Sequence, residues 1–225
     1  MTDIRTRNGG QLLMDSLVAL GATRGFGVPG ESYLAVLDAM VDHANAFDLV
    51  LCRQEGGAAY MAAAWGKLTG EPGLCFVTRG PGATNATVGI HTAMQDSVPM
   101  ILFVGQVGTD VMGREAFQEV DYTAFFGPLA KWAVQIDHVD RVPEIISRAW
   151  TVAMSGRPGP VVVALPEDML VATSDRLPCN PVAIPEPAVP EAGAAQMAAM
   201  LSAAEKPVLL VGGTRWTADS ARALE

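Results

Sequence analysis

Residues 53–85 read RQEGGAAYMAAAWGKLTGEPGLCFVTRGPGATN: a carboxylate opening a run of small residues, a glycine stop, an apolar pentad and a glycine-rich turn. The run from Glu55 to Leu68 is too long for a strand and rich in alanine, so it predicts a helix ending near Gly70. Leu74–Thr78 (LCFVT) has the length and apolar character of a buried strand, and Gly80–Asn85 then turns the chain into another helix. Strand, turn, helix and strand in this order, with short connections, is the unit of a parallel α/β sheet.

The same alternation extends outward in both directions. Upstream, Gly10–Leu20 predicts an amphipathic helix with Leu13, Leu17 and Leu20 about a turn apart. Phe26–Val28 predicts a short buried strand, Pro29 and Gly30 a turn, Ser32 the N-cap of a helix reaching Met40, and Phe47–Cys52 a second strand. Downstream, a helix through Met94 leads to the strand Met100–Val104; a helix over 141–154 and the strand Val161–Leu165 follow. The pattern predicts a doubly wound α/β fold over roughly residues 8–170, with a mainly parallel six-stranded sheet and helices on both faces. From Val171 to Pro190 the chain holds five prolines and no hydrophobic period, which predicts a linker. Glu191–Ala204 then predicts a helix, and Lys206–Gly213 (KPVLLVGG) a buried strand. The expected organisation is a domain over 1–170, a linker over 171–190, and the start of a middle domain over 191–225.

Composition narrows the function classes. Half of the 225 residues are hydrophobic, 17% are charged and the formal net charge is −9, so a large core is expected. No basic stripe that could track phosphates is present, which argues against nucleic-acid binding. No apolar run reaches the ~20 residues that cross a bilayer, and the N-terminus carries no apolar signal region. The cytoplasm is the expected location. Cys52, Cys75 and Cys179 lack metal-site spacing, and Cys52 and Cys75 fit small buried hydrophobes. His43 and His138 fit surface positions at element ends, and His91 a packed or capping position. No metal ligand set and no Ser-His-Asp or Cys-His arrangement is expected.

Glu55 is the strongest candidate for chemistry. A carboxylate in the first helical turn is favoured by the helix dipole, which alone would explain an inert glutamate. But the carboxyl ends of strands in an open α/β sheet are where ligands bind, and a carboxyl in apolar surroundings can hold or share a proton. The glycines of Gly80–Asn85 allow close backbone approach, although neither phosphate-loop spacing is present. Asp96 fits a turn or cap.

Taken in order, FGVPGES, the Arg53–Asn85 stretch continued through TAMQDSVPMILFVGQV, EAFQEVD and SGRPGPVVVALPEDM resemble the N-terminal, pyrimidine-binding domain of thiamine-diphosphate enzymes of the acetolactate synthase group. The resemblance runs from about Gly9 to Met169 and resumes at KPVLLVGG. It implies a carboligase or decarboxylase acting on 2-oxo acids, a transferase or lyase. Glu55 would hydrogen-bond N1′ of the cofactor's aminopyrimidine, so that the 4′-nitrogen takes the C2 proton. Val28, Pro29 and Gly30 would line the cofactor cleft, and Thr78, Pro81 and Asn85 would border the pyrimidine. Gln118 would reach the reacting centre, with Phe117 and Lys131 near the substrate.

The family's GDG…Asn segment, which holds Mg²⁺ and the diphosphate, does not occur in this sequence. The resemblance therefore implies a homodimer or tetramer in which a second subunit's diphosphate-binding domain completes the site, and a chain inactive alone. FAD, held by the middle domain in some members, is left open. Gln54 stands where the family often has histidine, Glu31 where it often has glycine, and Gly108 where acetolactate synthases often have proline. These leave cofactor activation intact and the acceptor open. Two alternatives stand beside this one: a separate pyrimidine-domain subunit of a two-chain decarboxylase, and a non-catalytic dimerising module of the same fold.

Overall fold

A computed structural model describes residues 6–214 and 216–224. Its centre is a sheet of six strands, all parallel: β2 (Arg24–Gly27), β3 (Asp48–Leu51), β4 (Gly73–Val77), β5 (Met100–Gln106), β6 (Trp132–Gln135) and β7 (Pro160–Pro166). They lie in the order β3-β2-β4-β5-β7-β6. A two-residue strand, β1 (Arg7–Asn8), pairs antiparallel with β8 (Thr173–Ser174), tying the start of the domain to the segment that leaves it.

Period-two alternation assigns the strand residues to two layers. On one face Leu74, Phe76, Ile101, Phe103, Val161 and Val163 meet the helices α1 (Gly9–Ala19), α2 (Leu34–Asp42) and α6 (Val142–Met154). On the other, Cys75, Val77, Leu102, Val104 and Ala164 meet α3 (Glu55–Thr69), α4 (Gly80–Gln95) and α5 (Tyr122–Phe126). The doubly wound architecture expected from the alternating pattern is the one observed.

Local chemistry sets the helix ends. Asn8 and Gln11 form a reciprocal capping box at α1. The Gln54 side chain accepts from the Gly57 amide to cap α3, which stops at Gly70 in the left-handed region (φ 76°). Ser32 does not cap α2 as expected. It lies fully buried in a 3-10 turn, Glu31–Tyr33, and its hydroxyl is shared with Thr78 Oγ1 at 2.9 Å. The 3-10 turn delays α2 to Leu34 and puts Tyr33, not Ser32, at its N-cap. His91, expected to pack or cap, instead points from the exposed side of α4. His43 and His138 lie at element ends as expected.

Beyond β8, α7 (Glu167–Val171) having closed the domain, the chain runs without regular structure to α8 (Glu191–Ala203), none of whose residues is buried. The expected strand at Lys206–Gly213 does not form: the segment is irregular and exposed. A strand needs a partner's backbone groups, and among the described residues none lies beside it. A short helix, α9 (Ala218–Arg222), follows.

Candidate functional site

The strand order directs attention to one place. β2 and β4 are neighbours, but the chain leaves β2 through α2 on one face and leaves β4 through α4 on the other. Connections diverging from adjacent parallel strands open a crevice at their carboxyl ends, where α/β sheets bind ligands. The loops there are Val28–Glu31 after β2 and Thr78–Gly80 after β4, with Glu55 arriving at the start of α3.

These parts touch. The Val28 amide donates to the Phe76 carbonyl at 3.2 Å, and the Tyr33 hydroxyl donates to the Val28 carbonyl at 2.6 Å. Gly30 lies against Thr78, where an added Cβ would come within 2.5 Å of Thr78 Cβ. Asn85 Nδ2, one turn into α4, donates to Glu55 Oε2 at 2.9 Å. Glu55 Oε1 has no donor among the described residues, and it faces Gly82, where an added Cβ would lie 3.6 Å away. Pro81 is exposed at the start of α4, beside them.

The Glu115–Glu119 segment joins from the far side. The Gly80 amide donates to the Gln118 carbonyl at 3.0 Å, and Gln118 takes a left-handed backbone (φ 62°) to reach it. Phe117 is 71% exposed and belongs to neither core cluster; its ring stands 5.8 Å from the Arg79 guanidinium. Glu119, accepting from the amides of Gly113 and Ala116, has its carboxyl held below the usual range by those bonds and closes the loop on itself. The structure thus brings Val28, Pro29, Gly30, Glu55, Thr78, Pro81, Asn85, Phe117 and Gln118 to one edge of the sheet.

Lys131 is not among them. It precedes β6 at the opposite, amino edge, with Nζ donating to the carbonyls of Val152 and Ser155 at the end of α6. The sequence placed it by motif position, and motif position says nothing about which end of a strand a residue faces.

Arg79 and Ser32 are site residues to which the sequence assigned no such part. Both are buried, and the sole hint was a charged residue directly after an apolar strand.

A family model described as "Thiamine pyrophosphate enzyme, N-terminal TPP binding domain" matches residues 7–125. The chain belongs to this family. Among similar proteins, acetolactate synthase isozyme 2 large subunit of Escherichia coli (strain K12) is 38% identical over 96% of this chain and 39% of its own length. The mitochondrial acetolactate synthase catalytic subunit of Aspergillus candidus is 36% identical over 92% of this chain and 31% of its own. The acetolactate synthase large subunit of Lactococcus lactis is 37% identical, with 92% and 36% covered. The chain thus spans less than half the length of these relatives.

The cleft fits the family's cofactor. An aminopyrimidine edge needs a carboxyl oxygen not already engaged, a group that fixes that carboxyl, and backbone close enough to flank a flat ring. Glu55 Oε1, Asn85 and Gly82 meet those needs in turn. Among the described residues no three His, Cys, Asp or Glu side chains converge as a metal site, and no helix is long and apolar enough to cross a membrane.

Proposed function

We propose that residues 1–170 are the pyrimidine-binding part of a thiamine-diphosphate-dependent carboligase or decarboxylase acting on 2-oxo acids, with Glu55 as the group that activates the cofactor. The observation that carries this is the Glu55 carboxylate, fixed by Asn85 through one oxygen and offering the other beside Gly82. When bound, thiamine diphosphate supplies a nucleophilic carbon and an electron sink for decarboxylation. The chain's own residues bind and orient. Glu55 Oε1 holds a proton toward N1′, and Asn85 keeps the carboxylate from turning away. The Val28–Gly30 loop and the Thr78–Pro81 junction of β4 with α4 flank the ring. Gln118 stands on the substrate side.

The rest of the site comes from elsewhere. Mg²⁺ and the diphosphate would be held by a separate domain of a second subunit, so the chain alone is inactive. The outward faces of α3 and α4 support a second copy as the cover: Tyr60, Met61 and Val88 are each about half exposed there. The irregular run over 175–190, the exposed α8 and the unpaired 206–213 segment support a linker, starting after β8 and not at 171 because β8 pairs with β1, and the start of a further domain after it.

The test is deuterium exchange at C2 of the bound cofactor in the complete enzyme, followed by NMR. Glu55→Gln is expected to keep the cofactor bound but slow exchange by about 10²–10⁴-fold, since an amide cannot supply the proton. Asp96→Asn is the control. Asp96 ends α4 at the amino edge, bonded to Lys67 at 2.8 Å, and its loss leaves exchange unchanged. Wild-type exchange in Glu55→Gln removes Glu55 from the mechanism.

A further inference from the structure

Arg79 sits between β4 and the start of α4, at the helix's N-cap, with only 9% of its side chain exposed. One Nη group donates to Glu31 and the other to Glu167. Glu31 stands 48 residues away, on the turn after Pro29–Gly30, and Glu167 stands 88 residues away, where α7 leaves β7. The Phe117 ring covers the guanidinium from a third direction. One side chain therefore joins the carboxyl-edge loops of β2, β4 and β7 to the Glu115–Glu119 segment.

Folding alone does not call for this arrangement. Burying a guanidinium between carboxylates costs desolvation, and a well-packed apolar side chain of similar volume often serves stability equally well. Arg79 Nε is itself buried without a hydrogen-bond partner. What the fork supplies is geometry. A planar guanidinium can serve two carboxylates at its edge and an aromatic ring on its face at once, which an ammonium cannot. Phe117 has the most to gain, because it packs in neither core cluster. The next residue, Gln118, is tied to the residue after Arg79 by the Gly80 amide.

We propose that Arg79 is a positioning residue for the 2-oxo acid: gripped by Glu31 and Glu167, its guanidinium fixes Phe117 and Gln118 at the mouth of the pyrimidine cleft. The proposal rests on the reading of that cleft given above. It also gives Glu31 a task, as one of the two carboxylates that aim the arginine.

The test uses the complete enzyme with thiamine diphosphate and Mg²⁺. Arg79→Lys keeps the charge and loses the fork. Amide hydrogen exchange in peptides spanning 113–121 is expected to quicken by at least about tenfold, while peptides from α1 and α6 stay unchanged. The probe substrate is whichever of pyruvate, 2-oxobutyrate and benzoylformate the wild type turns over fastest. Its kcat/KM is expected to fall about tenfold or more, as displaced positioning groups do. C2–H exchange of the cofactor, which depends on Glu55, keeps its wild-type rate. Phe117→Leu is expected to reproduce the kcat/KM loss and to add little to it in the double variant, since both act through one contact. Should Arg79→Lys fold poorly, Glu31→Gln removes one prong and is expected to move the same readouts less far. Unchanged protection over 113–121, additive losses, or C2–H exchange falling in step with turnover would each overturn the proposal. A wild type that turns over none of the three acids counts against the functional reading instead, and the amide exchange still decides on Arg79.

Discussion

The two faces of the sheet are built on opposite plans. The face under α1, α2 and α6 is filled by large side chains: Phe76 stacks on Phe103 at 4.9 Å between ring centroids, with Phe47 edge-on at 6.3 Å and Tyr33 alongside. The face under α3 and α4 is lined by Ala58, Ala59, Ala62, Ala83, Ala86 and Ala93, so the helices approach the sheet and each other closely. Large residues bury area and hold the fold. Small ones bring backbone to backbone, which is how Glu55 at the start of α3 comes within hydrogen-bonding reach of Asn85 on α4. The layer of large side chains and the layer that carries Glu55 and Asn85 share the strands and little else.

That difference can be broken from either side, by opposite changes of volume. Phe76→Ala empties the centre of the aromatic stack and is expected to cost about 3–5 kcal/mol in urea unfolding. On the other face the damaging change is addition. A Cβ on Gly89 would meet Ala59 Cβ at 2.4 Å and Ala59 backbone carbon at 2.7 Å. Gly89→Ala is therefore expected to cost about 1–3 kcal/mol, and Ala59→Gly in the same chain to recover part of it. Gly89→Ala without cost, or Phe76→Ala without cost, would erase the distinction.

A smaller effect concerns what each face shows to the outside. Met61 is 48% exposed among the small residues of α3, whereas Val41, 72% exposed, sits alone at the end of α2. If a second copy covers α3 and α4, Met61→Glu is expected to weaken self-association of the complete enzyme about 10–100-fold, the range of a central contact residue. Val41→Glu leaves it unchanged. Sedimentation velocity across a concentration series distinguishes the two, and a wild type monomeric at every concentration ends the argument.

The large-residue face and the small-residue helices were both legible in the sequence, because each carries its own period. Five strands could be placed from apolar runs, but β6 could not: Trp132–Gln135 is four half-buried residues at the sheet's edge, too short and mixed to stand out. Lys206–Gly213 misled in the opposite way, since an apolar run states a preference that only a paired neighbour can satisfy. At the site, Glu55 stood out at its strand-to-helix junction, and the resemblance supplied Thr78, Pro81 and Asn85 from the same continuous stretch; Glu55 and Asn85 meet in a hydrogen bond. The partners of Arg79 were not. Glu31 and Glu167 reach it from other strands, and no local spacing encodes which strands become neighbours.

Lys131 bears on both faces and gives the smallest effect. Its stem passes Gly159, near the Met94 sulfur, while its ammonium meets the last carbonyls of α6, a favourable end of the helix dipole for a cation. Partial burial nevertheless lowers its pKa from the ordinary lysine value of 10.5. In the window between that lowered value and 10.5, the folded chain binds fewer protons at this site than the unfolded chain does. The group's contribution to stability therefore rises with pH across the window. Solvent screens the group, so the rise is expected to be well under ~1 kcal/mol. Lys131→Met removes it. Denaturation midpoints for wild type and variant from pH 8 to 10.5 are expected to diverge in favour of wild type as the pH climbs. Tyr33 and Tyr122, whose hydroxyl pKa values burial pushes up, pull stability down above pH 10, but equally in both proteins, so they cancel in the difference. A flat difference would mean that the α6 carbonyls fully offset the desolvation, and that the amino edge, unlike the carboxyl edge with its buried arginine, stores no electrostatic cost.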